Sequence, residues 1–292
     1  MKKLTGYLRL MRPANIVTAI ADILAGAALA GYVGTDGSLT TSLLWLVLAT
    51  IGLYGGGVVF NDVFDAALDR VERPERPIPS GLISETEGTL LGSVLLLIGV
   101  GAAFMYSTLS GTIALAIAVA ALVYDKWGKH HSFLGPLNMG LCRGLDLLLG
   151  MSLIPQVITH YGFFAIIPII YIAAITMISR GEVHGGKSST IMVAVALYAL
   201  VICTIAAVAI TNHAYFSLAF LILFAIIIYP PLFRALREPV GKNIGKAVKA
   251  GVLALIVMNA SWAAAAGAIY LALFILVLLP VSLVLARLFA VT

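Results

Sequence analysis

The sequence predicts an all-α fold, a polytopic membrane bundle of nine to ten transmembrane helices. Three observations carry this. Of 292 residues, 61% are hydrophobic and only 11% charged, whereas soluble domains carry about 25% charged residues. Mean hydropathy is +1.07. Apolar runs of about 20 residues, long enough to cross a hydrocarbon core, recur along the whole chain.

The runs cover 14–33, 41–64, 88–108, 110–125, 134–155, 161–179, 190–211, 214–233, 250–268 and 269–290. No water reaches the bilayer core, so each run must satisfy its own backbone as a helix. The last two are barely separated, at Ala266-Gly267-Ala268. Ten crossings, or nine with a bent or re-entrant end, both fit. One domain over 1–292 is expected. Small residues at Gly55-Gly56-Gly57, Gly150 and Ala263 to Ala266 permit close helix approach. No cleavable leader is expected, because Met1-Lys2-Lys3-Leu4 opens a mixed segment and the first apolar run is of spanning length. Cys142 and Cys203 lie in apolar runs and are expected to be buried thiols.

Charge placement supports the parse. Lys2, Lys3, Arg9 and Arg12 precede the first run. Arg70, Arg73 and Arg76 follow the second, Lys126 and Lys129 the fourth, and Arg180 and Lys187 the sixth. Arg234, Arg237, Lys242, Lys246 and Lys249 follow the eighth. If every run crosses once, all Lys and Arg except Arg143 and Arg287 gather on one side. By the positive-inside rule that side is cytoplasmic. The net charge of +5 therefore reads as topology, and no nucleic-acid motif accompanies it.

The most informative stretch closes the second run: Asn61-Asp62-Val63-Phe64-Asp65-Ala66-Ala67-Leu68-Asp69-Arg70. Asp62, Asp65 and Asp69 fall at i, i+3 and i+7, on one face of a helix. Topology signals do not need acids. Carboxylates at a membrane edge require a cation, and three on one face suit Mg²⁺, a hard cation often shared with substrate phosphates. Asn61 adds an oxygen or orients a neighbour. Prolines stiffen the segment that follows, Arg73-Pro74-Glu75-Arg76-Pro77-Ile78-Pro79-Ser80-Gly81, where Arg73 and Arg76 are candidates to clamp phosphate oxygens.

The order Asn61-Asp62-x-x-Asp65-x-x-x-Asp69, then Arg76-Pro77-Ile78-Pro79-Ser80-Gly81, resembles the first signature of the UbiA superfamily of intramembrane prenyltransferases. Arg12-Pro13-x-Asn15, and Tyr124 followed by Lys126 and Lys129, extend the likeness. The resemblance implies a helical bundle around a central cavity, an isoprenyl diphosphate substrate, Mg²⁺ dependence and transfer to an acceptor, often aromatic. Asp62, Asp65 and Asp69 are then metal and catalytic candidates. Tyr124 is placed to face a developing allylic cation, with Lys126 and Lys129 near the diphosphate.

The family's second acidic motif is thin here. In Ser179-Arg180-Gly181-Glu182-Val183-His184-Gly185-Gly186-Lys187, Ser179, Glu182 and Gly186 occupy the three acidic positions and Glu182 alone keeps a carboxylate. Glu182 is the expected ligand of any second Mg²⁺, with Arg180 and Lys187 as sources of positive charge. One histidine, His184, adds little to a metal site. This thinning resembles the EboC-like branch.

The fifth run carries Asn138, Arg143 and Asp146. Arg143 and Asp146 are i, i+3 and can meet. An arginine inside the membrane costs about 2.5 kcal/mol or more if left in lipid. Arg143 is therefore expected either to reach the diphosphate, oriented by Asp146, or to form a structural ion pair. Asp22 in the first run and Asn259 in the ninth are expected to face the same interior, Asp22 near the acceptor. Tyr54, Trp127 and Trp262 are expected to be packing or interface aromatics.

The function this supports is Mg²⁺-dependent transfer of a prenyl group from a polyprenyl diphosphate to a hydrophobic, aromatic-type acceptor within the bilayer. An isoprenoid-binding or transport component is the alternative that the thin second motif keeps open. An ion-coupled transporter fits less well, since the acids concentrate at one membrane edge and no internal repeat is evident.

Overall fold

The computed structural model describes residues 2–32, 41–183 and 185–289. Thirteen α-helices and two 3-10 turns account for the regular structure, and no strand occurs among the described residues. His184 lies outside them.

Every apolar run forms a helix. α1 (Lys2–Met11) and α2 (Pro13–Leu29) meet at a 41° bend. Pro13 starts α2, a position where its missing N–H costs nothing. Arg12 makes the bend in the left-handed region, at φ 50°. For a non-glycine residue this costs about 1–2 kcal/mol, which the ion pair described below offsets. α3 (Thr41–Phe64) runs to the acidic stretch, and α4 (Ala66–Glu72) continues from it after a break at Asp65. The proline-rich turns end at Gly81 (φ +74°), and Ser84 with Glu87 forms a capping box that starts α5 (Glu85–Tyr106).

α6 (Thr108–Lys126), α7 (Leu134–Met151), the pair α8 (Pro155–Tyr161) and α9 (Ile166–Ser179), α10 (Ser188–Thr211), α11 (Phe216–Arg237), α12 (Gly241–Ala265) and α13 (Ile269–Leu288) complete the bundle. Among the described residues, eight helices, with α8 and α9 joined as one, are long and apolar enough to cross a membrane, and the bent α1–α2 pair makes a ninth. α7 stands apart because Asn138, Arg143 and Asp146 dilute its apolar surface. It packs among α2, α6 and α9, where polar side chains can find partners rather than lipid. Gly267 (φ +85°) turns the chain between α12 and α13, so the final apolar stretch is a helix of its own.

α2, α7 and α12 form the interior. Gly26 of α2 sits against the Leu147 carbonyl of α7, and Gly150 of α7 against the Ile23 carbonyl of α2. A Cβ at either position would collide with backbone, so glycine is what lets these two polar helices approach. Two apolar cores flank them, one around α9 to α12 and the other around α2, α3, α5, α6 and α13. Of the two cysteines, Cys142 is half-buried and Cys203 exposed, and both are free thiols. The expectation that Cys203 is buried is corrected: α10 turns that face outward, as an apolar residue in a lipid-facing helix is free to do.

Candidate active site at one end of the bundle

The loops that carry the basic residues meet at one end of the bundle, around the end of α3. Arg12 donates to Asp62 Oδ1 at 2.5 Å. Arg76 reaches the same oxygen at 3.3 Å and Asp69 Oδ2 at 2.5 Å. Lys129 donates to Asp65 Oδ1 at 2.5 Å. Asn61 donates through Nδ2 to Asp125 Oδ1 at 2.9 Å. Asp62, Asp69 and Arg76 are buried, and Asp65 partly so.

The acidic stretch divides in two. Asp62, on α3, and Asp69, on α4, meet on Arg76, which serves both. Asp65, at the break between α3 and α4, instead meets Lys129 from the turn after α6. Among the described residues no three His, Cys, Asp or Glu side chains converge as a metal cage. The carboxylates are held apart by arginine and lysine. Asp62 Oδ2 nevertheless remains buried without a hydrogen-bond partner.

A cavity of about 330 Å³ opens beside this cluster. Arg12, Asn61, Tyr124 and Asp125 are among its lining at the charged end. Tyr54, Arg143, Asp146 and Thr50 line it further in. Thr50 lies eleven residues before Asn61 on α3, about 16 Å along the helix, so the cavity reaches well into the bundle. Arg143 Nε pairs with Asp22 Oδ2 at 2.7 Å. Its Nη2 donates to the Thr18 carbonyl at 2.9 Å, and its guanidinium lies 5.6 Å from the Tyr54 ring centroid. Asn259 donates to the other Asp22 oxygen, so Asp22 stands behind Arg143 rather than in the cavity wall. Thr50 donates to Asp146 Oδ2 at 2.9 Å, and Asp146 Oδ1 has no hydrogen-bond partner.

The remaining candidates divide. Arg180 donates to the carbonyls of Lys129 and His131 at 3.3 and 2.6 Å, fixing the end of α9 to the end of α6. Glu182 follows in the turn, half-buried. Burial pushes its carboxyl above the ordinary value, opposed by the charges of Arg73 and Lys249. Lys126 is exposed and lies over the Trp127 ring at 4.8 Å. Lys187 is exposed before α10 and lines a separate surface pocket with Arg180.

Sequence reasoning missed four residues of this site: Arg12, noted only for topology and for the Arg-Pro likeness, Thr50, Tyr54 and Asp125. Tyr54, read as packing, lines the cavity beside Arg143. Asp125 was passed over between Tyr124 and Lys126, although it is only 4% exposed and faces the cavity. The signal for Asp125 was the one used for Asp62, an acid closing an apolar run beside basic residues.

Comparison with known proteins gives the family and the fold. The chain belongs to the UbiA prenyltransferase family, whose model matches residues 19–189. It is 34% identical over 148 residues to the digeranylgeranylglyceryl phosphate synthase of Ignicoccus hospitalis, covering 51% of this chain and 47% of that one. The chain thus spans about half the length of the curated relatives it matches. Solved structures with the same fold include an apo UbiA homologue from Aeropyrum pernix K1, with TM-score 0.66 and 16% identity over 84% of this chain and 96% of that one. A UbiA homologue from Archaeoglobus fulgidus bound to GPP and Mg²⁺ has TM-score 0.55 and 14% identity, over 90% and 99% of the two chains.

Proposed function

We propose that this membrane protein transfers a prenyl group from an isoprenyl diphosphate to a hydrophobic acceptor, with the diphosphate at the charged mouth and the reacting carbon just inside the cavity. The observation that carries this is the alternation of acid and base at the mouth: Asp62 and Asp69 on Arg76, Asp62 on Arg12, and Asp65 on Lys129. Such a cluster is close to neutral before a diphosphate enters, so a highly anionic group needs further positive charge there. Carboxylate oxygens are hard donors that suit Mg²⁺, and Asp62 Oδ2 is a buried oxygen lacking the partner a cation would supply. Asp62, Asp65 and Asp69 would hold the ion. When bound, Mg²⁺ supplies Lewis-acid stabilisation of the departing diphosphate.

The chain's own residues account for the rest. Arg12, Arg76 and Lys129 would bind phosphate oxygens through their N–H groups, Arg76 with its planar fork. As the allylic carbon–oxygen bond breaks, the electron pair leaves with the diphosphate. The faces of Tyr124 and Tyr54 line the space where the cation develops and stabilise it by about 0.5–2 kcal/mol each. The apolar wall, with Leu53, Val58, Ile117 and Ala121, keeps water from quenching it. Arg143, Asp146 and Thr50 give the inner cavity a polar surface on which an acceptor's polar group is oriented.

The sequence resemblance favours an aromatic acceptor, while the name of the curated relatives describes a product built on glyceryl phosphate. The basic loops at the charged end support a cytoplasmic orientation by the positive-inside rule. The test is pyrophosphate release by the purified protein from DMAPP, GPP and longer allylic diphosphates, with and without Mg²⁺ and with phenolic and glyceryl phosphate acceptors. Mg²⁺-dependent release with prenylated product is expected. Tight binding without release would replace this reading with that of an isoprenoid-binding component.

A further inference from the structure

We infer that Asp125 supplies the carboxylate that the thin second motif lacks, so that the cation-binding acids of this chain come from α3 and α6 rather than from α3 and the α9–α10 turn. The inference rests on the proposed prenyl diphosphate site and deepens it.

Three observations place Asp125 there. It is 4% exposed, on the last turn of α6, and lines the same cavity as Asn61. Its Oδ1 accepts the Asn61 Nδ2–H at 2.9 Å. That bond fixes the Asn61 amide with its nitrogen toward Asp125, which turns the Asn61 oxygen away from α6. Just beyond, Lys129, in the 3-10 turn after α6, holds Asp65 at the break after α3. Two polar contacts thus tie the end of α3 to the end of α6, with Asp125 and Asp65 both at this junction.

Ser179, in the first position of the second acidic motif, lines this same cavity. Arg180 ties the end of α9 to the Lys129 and His131 carbonyls beyond α6. The ends of α6 and α9 are therefore neighbours around one space. A carboxylate on α6 reaches into that space from one side, and a carboxylate at position 179 would reach into it from the other. Asp62 Oδ2, buried without a partner on a carboxylate held by the cavity-lining Arg12, is the second sign that a cation belongs there.

The test moves the charge. Full-length protein in nanodiscs is titrated with Mn²⁺ in the presence of geranyl S-thiolodiphosphate, an inert diphosphate analogue, and metal is read by electron paramagnetic resonance. Asp125→Asn keeps an oxygen for Asn61, so the helix contact survives, yet the Mn²⁺ midpoint is expected to rise about tenfold or more. Asp125→Asn combined with Ser179→Asp is expected to recover most of that loss. An unchanged midpoint in Asp125→Asn overturns the inference, and so does a loss that Ser179→Asp fails to restore. If the unaltered protein binds no Mn²⁺ with the analogue, the prenyl diphosphate reading itself fails, a separate and distinguishable result.

Discussion

Arg143 and Asp22 form an ion pair at 2.7 Å between α7 and α2, with Arg143 5% and Asp22 0% exposed. Neither charge has access to bulk water, so each is the condition for the other. Removing one partner of a buried pair costs about 3–5 kcal/mol, because the survivor is left uncompensated. Asp22→Leu is therefore expected to lower the thermal midpoint in detergent markedly. Arg143→Met with Asp22→Leu is expected to recover much of the loss in stability while losing the polar inner wall. A double variant no more stable than the single one would show that the pair is not the source of the penalty.

Arg76 makes a different kind of contact, since one guanidinium nitrogen serves Asp62 and Asp69 together. A lysine ammonium could meet both carboxylates but offers no second nitrogen, and so no fork, for phosphate oxygens. Arg76→Ala is expected to destabilise by about 3–5 kcal/mol and to abolish pyrophosphate release. Arg76→Lys is expected to keep the fold and lose most of the release. Equal kinetics for Arg76→Lys and the parent protein would remove Arg76 from the diphosphate site.

Asp62→Ala and Asp65→Ala test the acids directly. Each is expected to abolish Mg²⁺-dependent binding of GPP, measured by calorimetry in detergent. Asp62→Ala also frees Arg12, whose left-handed backbone at the α1–α2 bend then lacks its partner, so this variant is expected to be the less stable of the two. GPP affinity that survives both substitutions and does not respond to Mg²⁺ would break the site assignment.

Much of the fold was legible because membrane spans are written in composition and length. Each apolar run became a helix, including α7, whose polar residues marked it as interior rather than lipid-facing. The acidic stretch was legible for the same reason, since charge at a membrane edge is expensive and stands out. Residue spacing could not reveal the partners, which come from distant loops: Arg12 is fifty residues from Asp62, and Lys129 sixty-four from Asp65. One helical face was expected for Asp62, Asp65 and Asp69, but cations on two sides split it. Tyr54 escaped notice because an aromatic in an apolar run carries no sign of whether it meets lipid or a cavity.

Glu182 gives a pH signature. Its carboxyl is raised above the ordinary 4.5 in the folded protein, mainly by burial. The folded state then holds this proton more tightly than the unfolded chain does. The associated stability is complete below about 4.5 and is lost as pH rises through the raised value. Glu182→Gln is expected to stabilise the protein modestly at neutral pH and to leave it unchanged near pH 4. Thermal midpoints of the two proteins across pH 4–8 check this, and parallel curves would show that Glu182 is not the titrating group.

Tyr124 separates electrostatics from packing. Its ring lines the cavity beside Asn61 and Asp125, where the proposed allylic cation forms. The face of the ring stabilises a cation whether or not the hydroxyl is present, whereas an aliphatic side chain of similar bulk has no quadrupole. Tyr124→Phe is therefore expected to retain most of the single-turnover rate of pyrophosphate release. Tyr124→Leu is expected to lose about 2- to 30-fold, the rate equivalent of 0.5–2 kcal/mol, with GPP affinity little changed. If Tyr124→Phe falls as far as Tyr124→Leu, the hydroxyl is the working group and Tyr124 acts as a hydrogen-bond donor to the diphosphate instead.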